Sequence, residues 1–242
     1  MKKITLISLI SAISYGSFAG GMGDASSSLS TFMSLEGGYT WNKIDGYDFT
    51  VDGVETAGLS SVKDNNNYTG RLAVGIISMI DDDFGATAEL GWGYYGRTTL
   101  SPEPTTVAPL VTGTYSSKYT LSGFDALLGV AYVQPYYSLS FKAGALIQNM
   151  QNTTTSSFAL FNNVDSMTTK NNNTAVLPEI KLGASYNINP NWAITGAYIF
   201  ALGGTTDTTG NYNSGTGNFT LNTDNQNPTI NSLLIGVQYT FC

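Results

Sequence analysis

The chain has 242 residues, a formal charge of −7, no histidine and a single cysteine. Hydrophobic residues are 42% of it and charged residues only 11%, against roughly 25% charged in ordinary globular domains. The acidic balance argues against a nucleic-acid partner, which needs clustered Lys and Arg, and the lone Cys242 excludes an internal disulfide.

Met1, Lys2 and Lys3 precede an apolar stretch from Ile4 to Ile13, and small residues Ser17 and Ala19 follow two apart. This is the layout of a secretory signal peptide, residues 1–19, with cleavage expected after Ala19. Loss of Lys2 and Lys3 takes the formal charge from −7 to −9. Residues 20–31 are expected to form a short N-terminal segment on the periplasmic side. No later apolar run approaches the ~18 residues of a spanning helix.

From residue 32 the pattern has period two. Met33, Leu35, Gly37, Tyr39 and Trp41 alternate with Ser34, Glu36, Gly38, Thr40 and Asn42, which is a strand with one apolar and one polar face. Leu72, Val74 and Ile76 repeat it against Arg71, Ala73 and Gly75, and Ala86 to Tyr94 repeat it against Thr87 to Tyr95. The alternation predicts strands at 32–44, 68–80, 85–97, 118–133, 138–150, 178–188, 192–203 and 230–241. Pro178 belongs at a strand start or a bulge, because it lacks an N–H to donate.

The predicted connections alternate in length. Residues 81–84, 134–137 and 189–191 are tight turns rich in Asp, Asn and Pro. Long polar loops are expected at 45–67, 98–117, 151–177 and 204–229. Short turns at one end and long loops at the other are the layout of outer-membrane barrels. The fold expected is therefore all-β: a closed antiparallel transmembrane β-barrel of about eight strands, an up-and-down meander over residues 32–242 with both termini periplasmic.

Aromatic placement decides which face meets lipid. Tyr39, Trp41, Tyr68, Trp92, Tyr94 and Tyr119 fall near the outer strand ends, and Phe84, Tyr132, Tyr136, Tyr137, Tyr186, Trp192 and Phe241 near the inner ends. Two such girdles are what a bilayer selects. The other parity is small and polar, with Gly38, Gly75, Gly91, Gly93, Gly129, Gly144 and Gly183 leaving room in a narrow interior. That parity also gathers a lumen charge cluster of Glu36, Glu89, Asp125 and Glu179 with Arg71, Arg97, Lys142 and Lys181. Four acids matched by four bases suggest paired bridges that close the lumen, since an unpaired buried charge costs several kcal/mol.

Leu233, Ile235, Val237, Tyr239 and Phe241 alternate to the end of the chain, with Cys242 after the final aromatic. Together with the turn Asn189, Pro190, Asn191, Trp192 and the closing Tyr239, Thr240, Phe241, this architecture resembles the OmpA-like and opacity-type family of small eight-stranded outer-membrane proteins. The resemblance implies that Tyr239 and Phe241 carry an insertion signal for the barrel-assembly machinery. It also implies a bacterial outer-membrane location, with lipid, lipopolysaccharide and a host or surface ligand as partners. Surface barrels that act as lipases, lipid A acyl-modifying enzymes or omptin-type proteases resemble one another in using a histidine base, which this chain lacks.

Asp45, Asp48, Asp52 and Glu55 make the first loop acidic without the spacing of a calcium loop. The run Asp81, Asp82, Asp83 reads as turn charge. Phe158 and Phe161, in the third loop, are apolar residues that no membrane interface explains and are candidates for contact. The expectation is a non-enzymatic protein without cofactor or metal: a rigid barrel presenting loops for adhesion or envelope contacts. The alternative is a narrow porin-like passive channel for small solutes.

Overall fold

The computed structural model describes residues 29–43, 49–51, 54–56, 62–64, 68–100, 105–108, 111–160, 163–214 and 217–241. The expected signal peptide, Asp45, Asp48, Asp52, Phe161 and Cys242 lie outside them. Eight long strands build the fold: β1 (Leu29–Lys43), β2 (Tyr68–Met79), β3 (Phe84–Leu100), β4 (Val111–Val133), β5 (Tyr137–Leu160), β6 (Asn163–Asn187), β7 (Trp192–Ala201) and β8 (Thr229–Phe241). Each pairs antiparallel with the next, and β8 returns to β1 with Thr31 opposite Phe241 and Lys43 opposite Thr229. The sheet is closed, so the barrel has no open edge along its wall.

Register fixes the shape of the cylinder. Pairing from Glu36 through Arg71, Gly93, Gly123 and Gln148 reaches Ala175 on β6, whereas pairing the other way through Gly236 and Thr195 reaches Ser185. The two paths meet the same strand ten residues apart, a stagger that goes with strands tilted by about 40° and a bore just wide enough for side chains.

The period-two reading holds on both faces. Leu35, Leu72, Leu90, Phe124, Leu128, Phe141, Ile147, Leu182, Ile194 and Ile235 point outward, Leu128 with 70% of its surface exposed. Ser34, Glu36, Arg71, Thr87, Glu89, Asp125, Lys142 and Lys181 point inward and are buried. Such an inside-out distribution is stable only where the outer face meets hydrocarbon.

Two ends of the barrel differ. At one, 80–83, 134–136 and 188–191 join strands tightly. Asn189 Oδ1 accepts from the backbone N–H of Asn191 at 2.9 Å and of Trp192 at 2.8 Å, the side-chain turn that Asn favours. Asn191 then donates from Nδ2 to the Thr240 carbonyl at 3.0 Å, so this turn also holds the last residues of β8. The turn end carries exposed Phe84, Tyr136, Tyr137, Tyr186, Trp192 and Phe241. Some of its rings meet edge to face, with Trp192 5.0 Å from Tyr239 and Tyr239 4.9 Å from Phe241.

At the loop end the strands run further than the hydrophobic pattern indicates. Loops expected at 98–117 and 151–177 are largely strand: β4 and β5 stay paired from Val133 opposite Ser138 out to Val111 opposite Leu160, and β5 and β6 out to Leu160 opposite Asn163. Thr153, Thr154 and Thr155 have strand propensity without apolar alternation, so the period-two pattern does not mark them. Phe158 is accordingly part of β5, opposite Gly113 and Asp165. Short hairpins also form in the first and fourth loops, Phe49–Val51 with Val54–Thr56 and Thr205–Ser214 with Gly217–Gln226. Pro178 sits within β6 and not at its start. The β7 ladder begins beside it, at Glu179 opposite Ala201, and Leu202 donates to the Pro178 carbonyl at 3.0 Å, so its missing N–H falls at the end of a ladder.

Candidate functional site

The distinctive chemistry lies in the lumen. Six consecutive strands each supply one charged side chain to a single belt: Glu36 from β1, Arg71 from β2, Glu89 from β3, Asp125 from β4, Lys142 from β5 and Lys181 from β6. Arg71, only 1% exposed, is its hub. Its Nε and Nη2 donate to the two oxygens of Asp125 at 2.9 and 2.5 Å, a bidentate fork. Nη2 also lies 2.6 Å from Glu89 Oε1, and Nη1 donates to Glu36 Oε2 at 2.9 Å. Lys181 Nζ bridges Glu36 Oε1 at 2.9 Å and Glu89 Oε1 at 2.8 Å, and Lys142 Nζ pairs with Glu89 Oε2. Three acids face three bases.

Gly91 makes the hub possible. A Cβ there would stand 2.5 Å from Arg71 Nη2 and 2.7 Å from Asp125 Oδ2. Gly75 plays the same part below it, where the ring of Phe32 occupies the space a side chain would take.

Two of the eight expected charges do not join the belt. Arg97 is exposed. Counting by twos from Glu89 puts it inside, but the register of β3 against β4 shifts between Tyr94 and Arg97, and Gly96 there has φ 90°. This bulge adds one residue and reverses the faces, so Tyr95 and Thr98 are buried with Arg97 outside between them. Glu179 does point into the lumen and is 1% exposed, yet neither carboxyl oxygen has a hydrogen-bond partner among the described residues. It stands one pleat from Lys181, on the loop side of the belt. The expected four-to-four pairing is therefore a three-to-three network.

Between the belt and the loop end the lumen is mixed, with Thr40, Gln148, Glu179 and Ser232 buried beside an apolar cluster. Tyr95, Tyr119, Leu121, Leu146, Met150, Leu177, Ala201 and Ile230 form one buried cluster. Tyr119, placed in the outer girdle by its position near a strand end, is 1% exposed and belongs to this plug. Its parity with Asp125 on β4 is the signal that outweighs position. Toward the turn end lies a cavity of about 40 Å³ whose lining includes Ser34, Thr87, Ser138, Ser140, Ser185 and Thr195, with Glu36, Glu89, Lys142 and Lys181 at its belt side.

No family model matches this sequence, and no curated protein matches it. Solved structures do share its architecture. The outer membrane protease OmpT of Escherichia coli is similar over 91% of this chain and 99% of its own, at 9% identity and a TM-score of 0.50. The fold is that of the outer-membrane β-barrels. Ail, the attachment invasion locus protein of Yersinia pestis, is 16% identical over 87% of this chain and 98% of its own, with a TM-score of 0.36. OprG of Pseudomonas aeruginosa is 15% identical over 88% and 96%, with a TM-score of 0.42. Likeness at these identities concerns the fold and assigns no activity to this chain.

Proposed function

We propose that the protein is a non-enzymatic interaction protein of the outer membrane, a rigid barrel that presents its long hairpins for adhesion or envelope contacts. The observation that carries this reading is the filled lumen: a wall-to-wall ionic belt backed by an apolar plug. A side-chain-filled bore of this size conducts nothing, and it makes the cylinder a stiff base for the arms above it. The barrel carries no histidine, and every carboxyl oxygen of the belt is tied to a cation, which leaves these acids unsuited to general-base work. On this reading residues 1–19 are a cleaved signal peptide, both termini are periplasmic, and Tyr239 and Phe241 are read by the assembly machinery.

Planar-bilayer recording tests it. The purified protein is expected to give no steady conductance, while the isolated β4–β5 and β5–β6 arms compete with intact protein for its surface ligand. Steady channels of porin size would sink the reading in favour of a passive solute channel.

A further inference from the structure

We propose that the outward wall at the loop end carries a docking site for the phosphate-bearing headgroup of an outer-leaflet lipid. Of the ten Lys and Arg residues of the chain, three are in the belt and two in the expected signal peptide. Three of the five that remain gather on this wall: Arg97 of β3, Lys118 of β4 and Lys170 of β6, all exposed. None of them has an ionic partner among the described residues. Register aligns them. Thr99, Lys118, Thr153 and Lys170 form one row across β3 to β6, and Arg97, Thr120, Gln151 and Asn172 form the row beside it on the barrel side. Lys118 therefore stands about 7–8 Å from Arg97 on the diagonal and about 10 Å from Lys170 across one strand. The bulge is what admits Arg97. Without the extra residue at Gly96 its side chain would face the lumen, and with it the side chain turns out beside Lys118.

The level of these rows on the wall specifies the ligand. On the same outward face, nearer the belt, Trp92, Phe124, Ile147 and Val176 lie in register and are exposed, a strip of wall suited to acyl chains. The row above them, Tyr94, Ser122, Asn149 and Thr174, carries the aromatic residue that marks an interface. Arg97 stands one row beyond it and Lys118 and Lys170 two rows beyond. At a strand tilt of about 40° a row is about 5 Å of height, so the cations lie at the depth of a headgroup layer. No acid occupies any of these rows, and Thr99, Thr120, Gln151, Thr153 and Asn172 add neutral hydrogen-bonding groups between the charges. The rim at the turn end has the opposite sign, with Asp81, Asp82 and Asp83 exposed. Cations spread along the wall above an apolar strip match phosphates on an acylated headgroup better than one free ion, which has nothing to place on the strip.

The site gives the envelope contacts of the reading above a definite surface and rests on that reading's orientation, with the loop end outside. The test uses the full barrel refolded in non-ionic detergent and titrated with bisphosphorylated lipid A or with the same lipid after removal of its phosphates, bound lipid being counted by native mass spectrometry. The parent is expected to bind the phosphorylated lipid saturably and to lose it as salt rises. Arg97→Gln, Lys118→Gln and Lys170→Gln should each weaken that binding about fivefold, and the triple variant about a hundredfold, the worth of a cation at an anionic lipid surface. Their heat-modifiable migration on gels should match the parent, because these side chains bond to no described residue. Asp81→Asn with Asp82→Asn at the other rim should leave binding unchanged. Equal binding by parent and triple variant, equal binding of the two lipids, or displacement of the lipid by inorganic pyrophosphate at the same concentration would each overturn the proposal, the last by assigning the patch to a free anion. Such a failure would leave the conductance and arm-competition tests of the adhesive reading standing.

Discussion

Arg71 touches all three acids of the belt, and for Asp125 it is the only ionic partner among the described residues. Arg71→Met should therefore strand a buried carboxylate and lower stability by about 3–5 kcal/mol, because removing one member of a buried pair leaves the other uncompensated. Arg71→Met with Asp125→Leu keeps Glu36 and Glu89 balanced by Lys142 and Lys181, and should recover much of that loss. Urea midpoints for the two variants, refolded in vesicles, check the sign of the difference. A double variant as unstable as the single one would mean that the fork itself, and not charge balance, carries the energy.

Individual elements show where the sequence is legible and where it is not. Alternation places Leu35 outside and Glu36 inside without any structure, because a one-residue slip would turn every apolar side chain of β1 inward. It fails at Arg97, since a bulge changes the count; Gly96, a glycine inside a strand, is the only mark the sequence leaves of it. It is silent for 151–160, where half of the residues are Thr or Ser and no hydrophobic face sets a period. The cavity is equally hidden, because its lining residues come from strands far apart in sequence. Gly96→Ala puts a Cβ on a backbone at φ 90° and should cost about 1–3 kcal/mol, seen as a lower urea midpoint. At the other end of the ladder, Phe241 meets Tyr239 edge to face at the turn end. Phe241→Ala is expected to reduce the amount inserted into membranes, while removal of Cys242 is not, as measured by quantitative blotting of outer-membrane fractions.

For the whole molecule, a sheet closed by thirteen residue pairs between its first and last strands should resist detergent until heated. The protein is expected to migrate faster on gels before boiling than after it, and identical migration would argue against a closed barrel in solution. Closure also raises a problem of identity among near copies. A seam displaced by two residues keeps every apolar side chain facing lipid and every small one facing inward, so the lipid cannot tell it from the native cylinder. The belt can. Glu36 reaches Lys181 across the bore, from the first strand to the sixth, and an even displacement anywhere between them would part charges that are paired in the native register. The six ions thus act as a combination lock: six of the eight strands contribute one digit each, and only the cylinder with all six aligned leaves none of these six charges alone.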